Sequence, residues 1–219
     1  MSKKQLFRLI IDGTMLLMLF WVMAYSLTGN TLHEWSGIVL TALFLVHIVL
    51  NIGWVRHIFK GRYNLRQTSG LVVNLLMFIA LLTLVLASLP ISSEVFPWFR
   101  LFADEMLPAQ IHILAGNWLF VLIDIHLGMQ WNRVQTFLPT FSHKATTAIR
   151  IVLILIACYG VWAVWQRNLF PKLAMYYTFD IWRDETSIVR FLADYIGIFT
   201  LFATVIYYLL RKQIAGKEK

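Results

Sequence analysis

Six long apolar runs dominate the sequence and limit what the chain can fold into. They cover approximately residues 9–28, 33–55, 70–90, 109–131, 147–167 and 190–211. Each run is close to the roughly 20 residues that a helix needs to cross a bilayer. Because 59% of the 219 residues are hydrophobic and only 14% are charged, water-soluble, disordered and coiled-coil chains are excluded. The sequence therefore predicts an all-α integral membrane protein: a single domain over residues 1–219, folded as a six-transmembrane-helix bundle.

Lysine and arginine set the predicted orientation of this bundle, because cytoplasmic loops carry an excess of both. When the six runs are threaded back and forth, 14 of the 19 basic residues fall on one side. These are Lys3, Lys4, Arg8, Arg56, Lys60, Arg62, Arg66, Arg133, Lys144, Arg150, Arg211, Lys212, Lys217 and Lys219. We expect this side, which holds both termini, to be cytoplasmic. The net charge of +8 then predicts contact with membrane lipid headgroups and no binding of nucleic acid.

Cysteine and glycine motifs exclude several classes of cofactor site. The single cysteine, Cys158, excludes an intrachain disulfide, a cysteine-framed metal site and the attachment of c-type haem. Asp12-Gly13-Thr14 matches part of a pattern for covalent flavin attachment, but it lies in an apolar run and the rest of the pattern is missing. The sequence has no dinucleotide-binding or phosphate-binding glycine motif either. We expect this chain itself to bind neither flavin nor nucleotide.

Four of the six histidines lie in or at the ends of just two apolar runs, where ionisable side chains are costly and usually functional. His33 and His47 are on the second run, and His112 and His126 are on the fourth. The 14-residue spacing of each pair falls about 40° short of four helical turns and rises about 21 Å, so each pair shares one helix face. Since both runs cross in the same direction, His33 is predicted to face His112 near the outer side. His47 is predicted to face His126 nearer the cytoplasm.

Two layers of paired imidazoles favour two haem b groups, with iron held by His33/His112 and by His47/His126. A zinc or copper site and purely structural hydrogen bonding are the alternatives, although copper is expected to recruit Met or Cys. The predicted haem-binding four-helix core covers about residues 9–131, and two further spans follow it.

Two glycines agree with this interpretation. Gly37 and Gly116 each follow the outer histidine of their run by four residues, so both runs share the spacing H-x3-G-x9-H. A flat macrocycle needs close approach to the backbone, which glycine permits. Both glycines are therefore predicted to contact the outer haem.

Other polar residues are weaker candidates. Asp124 is predicted to be a buried carboxylate that either serves proton transfer or a quinone site, or pairs with Asn51 or Asn74. Asp12 and Asp194 are given less weight because they are nearer the helix ends. Candidate propionate partners are Arg100 at the outer side and Arg56, Lys60, Arg66 and Arg133 at the inner side. The loops 91–108 and 168–189 are rich in aromatic residues, typical of an interfacial belt or of a docking surface for an outer partner.

Several short segments of the sequence resemble a known protein family. At HEWSG (33–37), HIVLNIGW (47–54), FKGRYN (59–64), His112 and HLGMQW (126–131), the chain resembles the flavinylation-associated cytochrome family of bacterial membrane di-haem proteins. The resemblance covers nearly the whole chain and implies that the four histidines are axial haem ligands. Members of that family often have a further histidine where this chain has Gln130.

The resemblance implies a multi-pass protein of the bacterial cytoplasmic membrane. Electrons from quinol or another membrane donor would pass to an extracytoplasmic protein that carries flavin mononucleotide, with a quinone as a possible further ligand. An electron-transfer subunit is favoured over a stand-alone enzyme. The alternatives are a transmembrane ferric reductase and, less favoured, a metal-ion transporter.

Overall fold

The computed structural model describes residues 2–53, 64–99, 105–176 and 187–215, and this part of the chain is helical without strands. Six of its helices are long and apolar enough to cross a membrane, which confirms the predicted number of spans. The α-helices are α1 (Lys3–Met23), α2 (Tyr25–Leu50), α3 (Leu65–Ser88), α4 (Met106–Gln135), α5 (His143–Gln166), α6 (Leu169–Leu173) and α7 (Ile188–Ala215).

Local capping explains why some helices begin earlier than the apolar runs predict. α1 begins at Lys3 because Ser2 and Gln5 form a capping box at its first turn. α2 has no side-chain cap, and the range Tyr25–Leu50 joins two helical segments across an interruption at Gly29, whose φ of 76° is in the left-handed region. The segment after Gly29 begins close to the predicted start at residue 33. The interruption lets the chain turn from α1 into α2 within a few residues.

The helices pack in pairs around α4. α1 packs against α2, α3 packs against α4, and α7 packs against both α4 and α5. Phe120 of α4 and Ile198 of α7 are fully buried at the centre of this packing. The helical hairpin α1–α2 contacts the rest through smaller surfaces such as Leu19 and Phe44. A cavity therefore separates the α1–α2 hairpin from the α3–α4 pair.

Two helix crossings are as close as backbones allow. A Cβ added to Gly128 of α4 would lie 2.5 Å from the carbonyl oxygen of Ala203 in α7. A Cβ on Gly160 of α5 would similarly overlap the backbone of Gly197 in α7. Small residues at such crossings are typical of helix association in membranes. These glycines hold α7 against α4 and α5.

The two predicted aromatic loops contain short helices that the apolar pattern did not predict. Pro97–Phe99 forms a 3₁₀ turn, and Leu169–Leu173 forms α6. Six basic residues singled out in the sequence lie outside the described residues: Arg56, Lys60, Arg62, Arg100, Lys217 and Lys219. The cytoplasmic placement of the termini stays a prediction.

Candidate haem-binding cavity

The four predicted histidines all line one cavity between α1–α2 and α3–α4. Its volume is about 1860 Å³. A pocket for a single drug-sized ligand measures roughly 300–1,000 Å³, so this cavity has room for two large cofactors. The cavity runs along α2 and α4 from the level of His33 and His112 to the level of His47 and His126.

The first pair, His33 and His112, has the spacing of two ligands to one metal. Their ring centres are 5.9 Å apart and their ring planes differ by 69°. Two imidazoles that each bind one metal through a nitrogen at about 2 Å place their ring centres about 6 Å apart. The predicted pairing of these two histidines is therefore present in the fold.

Hydrogen bonds fix which nitrogen of each ring in this pair is free. Nδ1 of His33 donates to the carbonyl oxygen of Val22 (2.9 Å), and Nδ1 of His112 donates to that of Leu84 (3.3 Å). A carbonyl oxygen can only accept, so Nδ1 carries the proton in both rings. Nε2 then keeps its lone pair for a ligand, which is the arrangement typical of metal-binding histidines.

The second pair, His47 and His126, lines the same cavity one layer further along. His126 lies within electrostatic range of His47. Nδ1 of His47 lies 2.6 Å from Oδ1 of Asp12 in α1, so a carboxylate holds this ring where carbonyls hold the first pair. Asp12 therefore contacts a predicted ligand directly, although its position in the sequence had made it a weak candidate.

The register of the α1–α2 hairpin explains why Asp12 is the residue that contacts His47. In the antiparallel hairpin α1–α2, Val22 is opposite His33 and Arg8 is opposite Leu50. The residue opposite His47 must then lie between Arg8 and Val22, and Asp12 is the acidic residue of that interval. The apolar pattern alone does not contain this information, because it does not set the register between helices.

The two predicted glycines line the cavity beside the first pair. A Cβ on Gly37 would have no atom within 4 Å, so the backbone there borders open space. A Cβ on Gly116 would be in ordinary contact with Leu84 at 3.5 Å. Gly37 in particular leaves open space near His33 that a side chain would enter. This observation fits a planar cofactor in the cavity.

Glu34 closes the end of the cavity next to the first pair. Its carboxylate accepts hydrogen bonds from the backbone amides of Ser93, Glu94 and Val95 and from the hydroxyl of Ser92. The segment after α3 is thereby tied to α2 directly beside His33. Sequence reasoning missed this role, although an acid next to a predicted ligand and a Ser-Ser pair in the facing loop are visible in the sequence.

The cations that border the cavity differ from the predicted propionate partners. Arg133 lines the cavity as predicted. Arg66 is directed elsewhere, because its guanidinium donates to the carbonyl oxygen of Met129 (3.4 Å). Three further cations that the sequence did not suggest for this role, Arg8, Arg167 and Lys172, also line the cavity. They belong to α1, to the end of α5 and to α6.

Two buried aspartates lie away from the cavity lining. The carboxylate of Asp124 is fully buried, and neither of its oxygens has a hydrogen-bond partner among the described residues, so the predicted pairing with Asn51 or Asn74 is not formed. Asp194 accepts hydrogen bonds from Arg167 (2.7 Å) and from the hydroxyl of Tyr159. Asp194 therefore belongs to the contact between α5 and α7.

Gln130 lines the same cavity as His126. Within the described ranges, no three His, Cys, Asp or Glu side chains come together in a way that could hold a bare metal ion. The arrangement of histidines in twos fits a cofactor that brings its own equatorial ligands.

Comparison of the chain with protein-family models, with curated proteins and with solved structures gives no match. The cavity, its four histidines and their hydrogen-bond partners are therefore the basis of the proposed function.

Proposed function

We propose that this chain is a membrane electron-transfer protein that holds two haem b groups. One observation carries the proposal: four histidines from two helices line one large cavity in two layers, with the rings of the first pair 5.9 Å apart. The free Nε2 atoms, the open space beside Gly37 and the cavity volume support the same conclusion.

His33 and His112 would hold one haem, and His47 and His126 would hold the other. Bound haem supplies one-electron redox chemistry at its iron. The protein residues orient that chemistry: Val22, Leu84 and Asp12 fix the rings, and apolar side chains of α1–α4 form most of the cavity lining. Arg8, Arg133 and Lys172 offer positive charge to haem propionates at the cavity borders, whereas Arg167 is paired with Asp194.

The proposal extends to the partners on each side of a bacterial cytoplasmic membrane. Electrons would enter from quinol or another membrane donor at the His47–His126 end and leave at the His33–His112 end toward an extracytoplasmic flavin-bearing protein. The excess of basic residues on the terminal side supports this orientation. The resemblance to flavinylation-associated cytochromes supports the choice of partner. The chain would act as a subunit of an oxidoreductase system.

Absorption spectroscopy tests the proposal directly. Purified protein should show a b-type reduced-minus-oxidised spectrum, and a pyridine haemochrome assay should give about two haems per chain. A colourless protein with stoichiometric zinc would overturn the proposal and favour a metal-ion transporter. A two-haem protein that reduces ferric chelates without a protein partner would favour the ferric reductase.

A further inference from the structure

Three of the four histidines use Nδ1 to contact an acceptor, and the acceptors differ between the two layers. In the first pair, both acceptors are backbone carbonyl oxygens, at 2.9 Å from His33 and 3.3 Å from His112. In the second pair, the acceptor of His47 is the carboxylate of Asp12, at 2.6 Å. The two layers are therefore chemically unequal although their histidine spacing is the same.

Asp12 lies in the middle of an apolar helix, where a carboxylate needs a reason to be present. α1 covers Lys3–Met23 and is long and apolar enough to cross a membrane. An acidic residue at such a depth is costly and usually functional. Its side chain is half exposed, toward the cavity, and its contact with His47 accounts for its placement.

A carboxylate acceptor raises the electron density of the imidazole ring that donates to it more than a carbonyl acceptor does. A negatively charged acceptor pulls the Nδ1 proton away from the imidazole, which makes Nε2 a stronger electron donor to a bound metal. A stronger donor stabilises the oxidised metal and lowers the reduction potential. Carbonyl acceptors at longer distances have a smaller effect on His33 and His112.

We propose that Asp12 is a positioning residue that fixes the ring of His47 and gives the His47–His126 site a lower reduction potential than the His33–His112 site. This inference rests on the proposed function, because it assigns an electronic property to one of the two haem sites. It makes the route from the His47–His126 end toward the His33–His112 end downhill.

The other charges near the second pair do not replace this effect. Arg8 and Arg133 also line the cavity, and their positive charge acts in the opposite direction. One terminal nitrogen of the Arg8 guanidinium donates to the carbonyl oxygen of Leu50. Asp12 contacts the ligand ring itself, whereas charges at the cavity border act through a longer and more screened path.

The test is a spectroelectrochemical titration of Asp12→Asn beside the parent protein. Asparagine keeps an oxygen that accepts the Nδ1 proton and removes only the charge. We expect the reduction equilibrium of the His47–His126 haem to shift about tenfold toward the reduced form, which is about 59 mV for a one-electron couple. The other haem should keep its potential. Variants of His47 or His126 that retain only the first haem identify which signal is which.

Glu34→Gln is the matched control. Glu34 directly follows His33, but its carboxylate accepts hydrogen bonds from residues 92–95 instead of from a ligand ring. If contact with the ring is what matters, this variant should move the potential of the first haem less than Asp12→Asn moves that of the second. An equal or larger shift would overturn the assignment to Asp12.

The remaining outcomes of the Asp12→Asn titration also support or overturn the inference. An unmoved potential in Asp12→Asn, an equal shift of both haems, or a parent protein whose His47–His126 haem has the higher potential would overturn the inference. If Asp12→Asn loses that haem, Asp12→Glu decides: recovery of the haem at its parental potential supports the inference, and any other result overturns it. A protein without haem would instead overturn the proposed function.

Discussion

The two sides of α4 show how one helix serves a wide cavity and a tight crossing at once. On the cavity side, His112 and His126 line the cavity opposite the α1–α2 hairpin. On the other side, Phe120 and Gly128 are buried against α7, with Gly128 in backbone contact with Ala203. The chain thus separates two tasks: α4 packs with α5 and α7 as a frame, and the α1–α2 hairpin forms the other wall of the cavity.

Glycine has opposite roles on the two sides. Gly37 borders open space, whereas Gly128 is a place where two backbones meet. Ionisable residues divide in the same way. Asp12 and the histidines line the cavity, whereas Asp194 is enclosed with Arg167 and Tyr159 at the crossing of α5 and α7. The following predictions test this separation, beginning with the largest expected effect.

Removal of a cavity histidine should abolish one haem and leave the other. His33→Ala and His112→Ala should lose the same haem, and His47→Ala and His126→Ala should lose the other, because each pair supplies both axial ligands of one iron. The haem-to-protein ratio should fall from about two to about one in a pyridine haemochrome assay. His143→Ala, which changes a histidine at the exposed start of α5, should keep both haems.

The low-temperature spectrum shows which haem each variant has lost. If His33→Ala and His126→Ala lost the same haem, the pairing seen in the fold would be wrong. Loss of all haem from each single variant would indicate that the two sites are filled together.

Removal of the buried carboxylate on the packed side should destabilise the frame without selecting a haem. Asp194→Asn deprives Arg167 of its carboxylate partner in a site where Asp194 is fully buried. Breaking a buried ion pair in this way typically costs about 3–5 kcal/mol. We expect a clear drop in the thermal unfolding temperature in detergent, with any loss of haem shared by both sites. Glu94→Gln, an exposed acid, should leave that temperature unchanged.

The same glycine-to-alanine change should have different results on the two sides. Gly128→Ala forces a methyl group against the backbone of Ala203, and overpacking of this kind typically costs about 1–3 kcal/mol. Gly37→Ala places its methyl group in open space and gains helix propensity, so its stability should equal or exceed that of the parent. Thermal unfolding of both variants makes the comparison, and equal losses would refute the separation of the two sides.

Much of the coarse fold could be predicted from the sequence, and the reason is physical. Apolar runs of membrane length predict the six spans, because a bilayer allows few other structures. The facing of His33 and His112 follows from helical spacing and from the common direction of two spans. The spacing could not reveal Asp12, because its contact with His47 depends on the register between α1 and α2.

Other parts of the site depend on contacts that no periodicity encodes. Glu34 anchors residues far along the chain, and the partners of Asp194 come from the end of α5 and from its middle. Gly128 and Gly37 are the same residue type in similar apolar surroundings, so the sequence alone does not separate packing from cavity. The tertiary arrangement of the helices determines which role each glycine has.

The smallest expected effect comes from a larger side chain beside the first pair. Gly37→Leu should lower the occupancy of the His33–His112 haem, because the leucine side chain would enter the open space where a macrocycle would lie. Leucine favours both helix formation and membrane insertion more than glycine does, so the fold and the second haem should be kept. A haem count and a low-temperature spectrum, measured beside Gly37→Ala, provide the test. Two full haems with an unchanged spectrum in Gly37→Leu would show that the space beside Gly37 is not where the cofactor binds.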